Sequence, residues 1–300
     1  MRKPNFFVVG APKCGTTAMS VYLKQHPEIF IPHAKEPHFF GSDLVSHQFH
    51  RYRDKEQYLS LFSAVRDEKR VGEASVWYLY SKQAAAEIKE FNSQAKIIIM
   101  LRDPVEMIYS MHSQSLYSYN EDIVNFEAAL DAEEDRKKGL RIPERAWFVQ
   151  ALFYREIAKY TEQVKRYLNA FGWENVHIII FDDFESDTAE VYRDTLRFLD
   201  VNPNFQTEFY VVNPNKRVWS EALLAFTKNP PPVARRLVRG LMPYQTRDRL
   251  LKSLRKHNTR YGPRKPVEAE LSKRLREEFA SEVEQLSELL GRDLTHWSRR

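Results

Sequence analysis

The chain has a single cysteine among its 300 residues, Cys14. No intrachain disulfide can form, which fits a reducing compartment. No apolar run is long enough to span a bilayer. No leader is visible before the first apolar segment, because Met1-Arg-Lys-Pro runs directly into it. The expectation is a soluble, cytoplasmic protein. Internal repeats, low-complexity tracts and a convincing linker are missing too, so one domain over residues 1–300 is expected. Segments 120–145 and 227–265 then stand as insertions or substrate-side helical regions.

What is present is globular. Hydrophobic residues make up 43% of the chain and aromatics 13%, enough apolar material for a sizeable core and not the composition of a disordered protein. The net charge of +5 is unevenly placed. Residues 228–265 hold twelve Lys and Arg against one acid, Asp248, a net +11, so the rest of the chain sums to −6. That patch can be a solvated face flanking an anionic ligand, a grip for an acidic saccharide, or a basic amphipathic helix lying on a membrane. No nucleic-acid motif accompanies the charge, so nucleic acid is not expected as a partner.

Residues 6–17, FFVVGAPKCGTT, organise the chain. Phe6, Phe7, Val8 and Val9 form a short apolar run of the kind found in strands covered on both faces. Gly10 and Pro12 break it. Met19, Tyr22 and Leu23 then recur at helical spacing. A loop joining a buried strand to a helix N-terminus presents free N–H groups at the positive end of the helix dipole and suits an anion. Gly15 permits close approach, Thr16 and Thr17 add hydroxyls, and Lys13 adds charge. The order departs from the G-x-x-x-x-G-K-[ST] loop of nucleotide triphosphatases, because Lys13 precedes the second glycine.

Further apolar strands are expected at 71–80, 96–101 and 176–181, and helices at 52–64, 81–91, 105–117, 125–138, 153–171, around 192–199 and at 268–290. The helix at 125–138 is charged and reads as a surface insertion. Alternating strands and helices imply an α/β fold, three-layered, with a central parallel sheet and helices on both faces. Ligands in such sheets sit at the carboxyl ends of the strands. Arg102 falls at such an end, after KIIIML, and Ser110 lies two helical turns on. An arginine there can take a phosphate bidentately, or it can cap a neighbouring helix.

Together the P-K-C-G-T-T loop and L-R-D-P-V-E-x-x-Y-S resemble the two phosphate-binding segments of sulfotransferases that use 3′-phosphoadenosine 5′-phosphosulfate (PAPS). Lys35-Glu36-Pro37-His38-Phe39-Phe40 resembles the K-E-x-x-F-F segment of the branch that includes heparan-sulfate and bacterial carbohydrate sulfotransferases. Gly72-Glu73-Ala74-Ser75 resembles its acceptor-side strand, and Asn213-Pro-Asn-Lys216-Arg217 its late loop over the cosubstrate. Two positions depart: Gly41 stands where an acid is frequent, and Arg217 where a glycine is.

The resemblance implies a P-loop-like fold and transfer of a sulfuryl group from PAPS to a hydroxyl or amine of a carbohydrate or glycolipid, leaving adenosine 3′,5′-bisphosphate (PAP). Lys13, Cys14, Gly15, Thr16 and Thr17 would hold the 5′-phosphate, with Lys13 also stabilising the leaving oxygen. Arg102 and Ser110 would hold the 3′-phosphate, and Lys216 and Arg217 would clamp the cosubstrate. Glu36 would be the base. His38 is its rival, because in an extended loop both side chains point the same way. A sulfuryl group carries less negative charge than a phosphoryl, so no metal is required.

Other readings stay open. Asp182 and Asp183 after a strand could be the acids of a P-loop kinase or nucleotide triphosphatase, and a nucleotide-binding protein without chemistry is the non-enzyme alternative. Cys14 could be a low-pKa thiolate or a packing residue. His47 and His50 have a metal-like spacing without partner ligands and read as solvated.

Overall fold

Phe6, Phe7, Val8 and Val9 are wholly buried, so both faces of the strand they form, β1 (Phe6–Gly10), are covered, and β1 lies inside the sheet between two other strands. The computed structural model describes residues 2–46, 49, 52–212, 216–218, 253, 259–262 and 266–299. After β1 come α1 (Thr16–Leu23), β2 (Ile29–Phe30), α2 (Lys55–Ser60), β3 (Arg70–Ala74), α3 (Ala84–Phe91), β4 (Lys96–Leu101) and α4 (Pro104–Ser118). Next are α5 (Phe126–Asp131), α6 (Glu133–Lys137), α7 (Tyr154–Ile157), α8 (Tyr160–Phe171), β5 (Val176–Ile180), α9 (Phe181–Ser186) and α10 (Thr188–Phe198). The later chain holds β6 (Lys216–Val218), β7 (Thr259–Tyr261), α11 (Ala269–Leu290) and α12 (His296–Arg299).

Strands β1 to β5 form one parallel sheet in the order β2-β3-β1-β4-β5, which is the expected α/β architecture. From β1 the chain goes out to the edge strand β2, returns to β3 beside β1, then crosses to β4 on the other side. Parallel sheets open a crevice where the winding reverses, at the carboxyl ends of the strands. Here the winding reverses between β1 and β4, the strands followed by the 10–15 loop and by Arg102.

Two helical expectations need correction. The helix at 153–171 is broken: α7 ends at Ile157 and α8 starts at Tyr160. Gln163 donates its side-chain amide to the carbonyls of Glu156 (3.2 Å), Ile157 (3.0 Å) and Lys159 (2.8 Å), so acceptors freed by the break are satisfied. The segment 125–138 is no surface insertion either. Phe126, Ala129, Leu130 and Arg136 are buried. Arg136 reaches both oxygens of buried Glu121 at 2.7 and 2.8 Å, and Tyr154 donates to the same carboxylate at 2.9 Å. A paired, fully bonded guanidinium can be buried where a lone one cannot.

Contacts divide the chain into two units, Met1–Val212 with Val267–Arg300, and Asn213–Pro266. In the second unit β6 pairs antiparallel with β7, Lys216 opposite Tyr261 and Arg217 opposite Arg260. Most of the basic segment 228–265 lies outside the described residues, as do His47 and His50. Among the described residues no helix is long and apolar enough to cross a membrane.

Candidate active site

The loop after β1 is pinned to the neighbouring strand at its start, where the Ala11 N–H donates to the Met100 carbonyl at 2.7 Å. Lys13 (φ 65°) and Gly15 (φ 88°) are both left-handed. Such alternations in tight turns gather backbone N–H groups into an anion-binding concavity. Gly15 then caps α1, whose first-turn N–H groups have no partners within the helix. Glycine suits the position: φ 88° strains any other residue, and a Cβ would lie a tight 3.2 Å from the Phe181 ring and 3.3 Å from Met100 Cε. Thr16 is nearly buried and Thr17 half-buried.

Cys14 lies between Lys13 and Gly15 in the same loop. Its side chain is wholly buried and its thiol donates to the Pro12 carbonyl at 3.4 Å. Burial pushes the thiol up to about 12, against the weaker opposing pull of Arg102, Tyr160 and Lys13. The low-pKa thiolate reading is therefore overturned, because desolvation of the charged form outweighs the neighbouring cations.

Because β4 lies beside β1, its exit places Arg102 next to this loop. The Arg102 guanidinium lies 4.7 Å from the centre of the Phe181 ring, and its Nη2 is 3.5 Å from Glu106 Oε2 one helical turn on. Phe181 therefore touches both anion elements, the space at Gly15 and the face of Arg102. Sequence reasoning gave it no role, although it follows β5 as Arg102 follows β4. Asp103 caps α4, accepting from Val105 N at 2.9 Å and Glu106 N at 3.3 Å, while its other oxygen accepts from Arg276 of α11 at 2.8 Å. Ser110 is buried on α4.

The 35–40 segment is not extended. Glu36 (φ 51°) and His38 (φ 48°) are both left-handed, yet their side chains converge. His38 Nε2 is 3.5 Å from Glu36 Oε2, and Lys35 Nζ is 3.5 Å from Glu36 Oε1. The His38 side chain is 4% exposed and that of Glu36 28%. Burial lowers the pKa of His38 and so keeps it neutral, against the upward pull of Glu36. For Glu36 burial pushes upward, but His38 and then Lys35 outweigh it and hold the carboxyl below its ordinary value. The pair is an ionised, accessible carboxylate on a buried, neutral imidazole. Glu36 lines a cleft of ≈ 180 Å³ together with Thr16, Thr17, Lys24, Lys35 and Ala74. Thr16 and Thr17 of the loop and Glu36 thus line one space.

Asp182 and Asp183 are engaged elsewhere. Asp182 accepts from His296 Nε2 at 2.8 Å and Trp297 Nε1 at 3.0 Å, and Asp183 accepts from Arg292 Nη2 at 2.7 Å. They tie the C-terminus to α9. No metal-ligating cluster occurs among the described residues. Lys216 and Arg217 lie in β6 of the second unit, where only their backbone pairing is described. The first unit brings together residues 13–17, 36 and 102.

Residues 3–232 match the sulfotransferase domain family. The crystal structure of a sulfotransferase from Alicyclobacillus acidocaldarius superposes with a TM-score of 0.75 at 31% identity, covering 100% of both chains. Carbohydrate sulfotransferase 15 of Mus musculus is 26% identical over 260 residues, 67% of this chain and 44% of that protein. Bifunctional heparan sulfate N-deacetylase/N-sulfotransferase 4 of Mus musculus is 26% identical over 226 residues, 73% of this chain and 25% of that protein. The chain thus spans less than half the length of these curated relatives. Both anion loops and Glu36 fall inside the matched region, and the chain belongs to the sulfotransferase family.

Proposed function

We propose that the protein transfers the sulfuryl group of PAPS to a hydroxyl or amine of a saccharide or glycolipid by in-line displacement. The observation that carries this reading is the shared cleft: Glu36 lines the same space as Thr16 and Thr17. An acceptor in that cleft meets a base on one side and the donor loop on the other. Glu36 takes the proton from the acceptor as its oxygen or nitrogen bonds to sulfur. Lys13 neutralises the charge growing on the bridging oxygen as the bond from sulfur to that oxygen breaks. Gly15, Thr16 and Thr17 hold the 5′-phosphate, with the Cys14 N–H. Arg102 and Ser110 hold the 3′-phosphate and so select PAPS over ATP. Neutral His38 donates to Glu36 and orients it; its burial favours Glu36 over it as the base. The saccharide acceptor is supported by the carbohydrate and heparan sulfate enzymes among the relatives.

A P-loop kinase or nucleotide triphosphatase is disfavoured by the commitment of Asp182 and Asp183 to the C-terminus. Titration with PAP and with ATP–Mg²⁺ tests the reading. Tight binding of ATP–Mg²⁺ with none of PAP would overturn it. Lys13→Ala separates enzyme from binder: it should abolish transfer from PAPS while leaving much of the PAP affinity. Screening labelled PAPS against sugars, glycolipids and phenols identifies the acceptor.

A further inference from the structure

Glu73 sits in the middle of β3, opposite Phe7 of β1, and is 1% exposed. A buried carboxylate needs partners, and this one has three hydroxyls. Tyr78 donates to it at 2.8 Å, and Tyr58 and Ser75 each at 3.0 Å. A hydroxyl has one proton. With that proton directed to Glu73, each hydroxyl turns its lone pairs outward. Two of these lone pairs meet the segment that carries the base: the His38 N–H donates to Ser75 Oγ and the Phe40 N–H to Tyr78 Oη, both at 3.2 Å. Glu36 and His38 hold left-handed backbone that non-glycine residues rarely keep unless surrounding structure imposes it. The two N–H contacts are such an imposition, and both lead back to Glu73.

We propose that Glu73 is a positioning residue for the transfer: it aims Ser75 and Tyr78 at the 38 and 40 amides and so fixes the Glu36 carboxylate at the cleft. The inference rests on the reading of Glu36 as base. An ionised carboxylate is the one side chain of this size that accepts from all three hydroxyls. In Glu73→Gln the amide oxygen can still take Tyr58 and Tyr78, which share one oxygen in the native protein. The amide nitrogen then faces Ser75 as a competing donor, and the Ser75 proton loses its acceptor.

The test combines kinetics with hydrogen exchange on the full chain at pH 8, above the point where Glu73 loses its proton. In Glu73→Gln, and independently in Ser75→Ala, kcat should fall about tenfold to a hundredfold, as expected for a displaced reacting group. PAP affinity should stay within about twofold, because the donor loops are untouched. Amides of residues 36 and 38–40 should exchange about tenfold faster while those of β1 and α1 keep their protection. The double variant should be no worse than the single ones. Tyr58→Phe is the control, since Tyr58 bonds Glu73 but its hydroxyl accepts from no amide of the segment: its kcat should stay within about twofold of wild type. Native kcat and exchange in Glu73→Gln, or equal losses in Tyr58→Phe and Ser75→Ala, would overturn the proposal in favour of a general packing role. Wild-type protein without sulfuryl transfer would remove the catalytic reading of Glu36, while the exchange measurement still decides whether Glu73 holds the segment.

Discussion

Glu36 already carries its charge at neutral pH, since His38 and Lys35 hold its carboxyl below the ordinary range. It is therefore a ready acceptor, and its protonation cannot limit the rate near neutrality. Glu36→Gln should lower kcat by about 10²–10⁴ and leave PAP affinity intact; calorimetry beside initial rates checks both, and retained turnover would disqualify Glu36 as the base. Glu73 is the opposite case, with burial pushing its pKa up from 4.5 to about 7 despite three hydroxyl donors. The unfolded carboxyl loses its proton near 4.5 and the folded one near 7. Between those values the folded state binds more protons, so stability falls as pH rises and levels off above about 7. The loss is about 3 kcal/mol, since each pKa unit is worth 1.36 kcal/mol. In urea melts at pH 5 and pH 8, wild type should lose most of that amount relative to Glu73→Gln, since His38 and the other titrating groups are common to both; equal slopes in the two proteins would remove Glu73 as its source. Cys14 is wholly buried and protonated far above neutrality. Iodoacetamide at pH 8 should leave the native protein unlabelled and fully active, and should label it once in urea.

At the scale of elements, the Arg102 exit of β4 is held by a helix distant in sequence. Arg276 of α11 bonds Asp103 and also the Trp297 carbonyl, so one guanidinium joins the start of α4 to the C-terminal turn. Arg276→Ala leaves the Asp103 carboxylate buried without its cation, which costs about 3–5 kcal/mol. It should also loosen Arg102, narrowing the preference for PAP over adenosine 5′-phosphate in paired titrations. An unchanged preference in a destabilised variant would show that Arg102 keeps its place without α11. The sequence showed this region only in part. Strands β1 and β4 were legible because an unbroken apolar run needs cover on both faces, and α11 because Leu271, Leu275, Phe279, Val283 and Leu286 repeat at helical spacing. The strand-to-helix turns at 10–15 and 102–103 were legible because each follows such a strand. The break before α8 was not, because the Gln163 side chain that satisfies it looks like any surface glutamine. Arg136 and Glu121 looked like surface charges for the same reason: burial of a pair depends on a partner fifteen residues away. The left-handed turns at Glu36 and His38 carry no residue-type signal, since neither is glycine. Glu73 did leave a trace, an acid inside an apolar strand, but the sequence does not show that Ser75 and Tyr78 of the turn after β3 fold back onto it or that Tyr58 of α2 joins them.

At the scale of the molecule, the first unit is closed by chain that arrives last. Residues 267–300 belong with the sheet and its helices. Polar ties run from this segment to four places: Arg276 to Asp103, Arg274 to Glu127, Arg155 to Glu278 at 2.7 Å, and the Thr161 N–H at the start of α8 to Glu282 at 2.7 Å. Arg292, His296 and Trp297 add the ties to Asp182 and Asp183. The exposed pairs contribute little, a fraction of a kcal/mol each, so packing decides. Leu271, Leu275, Phe279, Val283, Leu286, Leu294 and Trp297 are all buried. At about 1.5–3 kcal/mol for each buried apolar side chain, their removal forfeits roughly 10–20 kcal/mol. A whole domain is stable by about 5–15 kcal/mol. A chain ending at residue 266 should therefore not fold cooperatively, even though it keeps both anion loops, Glu36 and β1 to β5. Circular dichroism with urea titration reads this: the truncated chain should lose the sigmoidal transition and bind no PAP. A sharp transition with native PAP affinity would mean that the sheet and helices before residue 212 stand alone. The C-terminal helix would then be an attached element rather than a wall of the core.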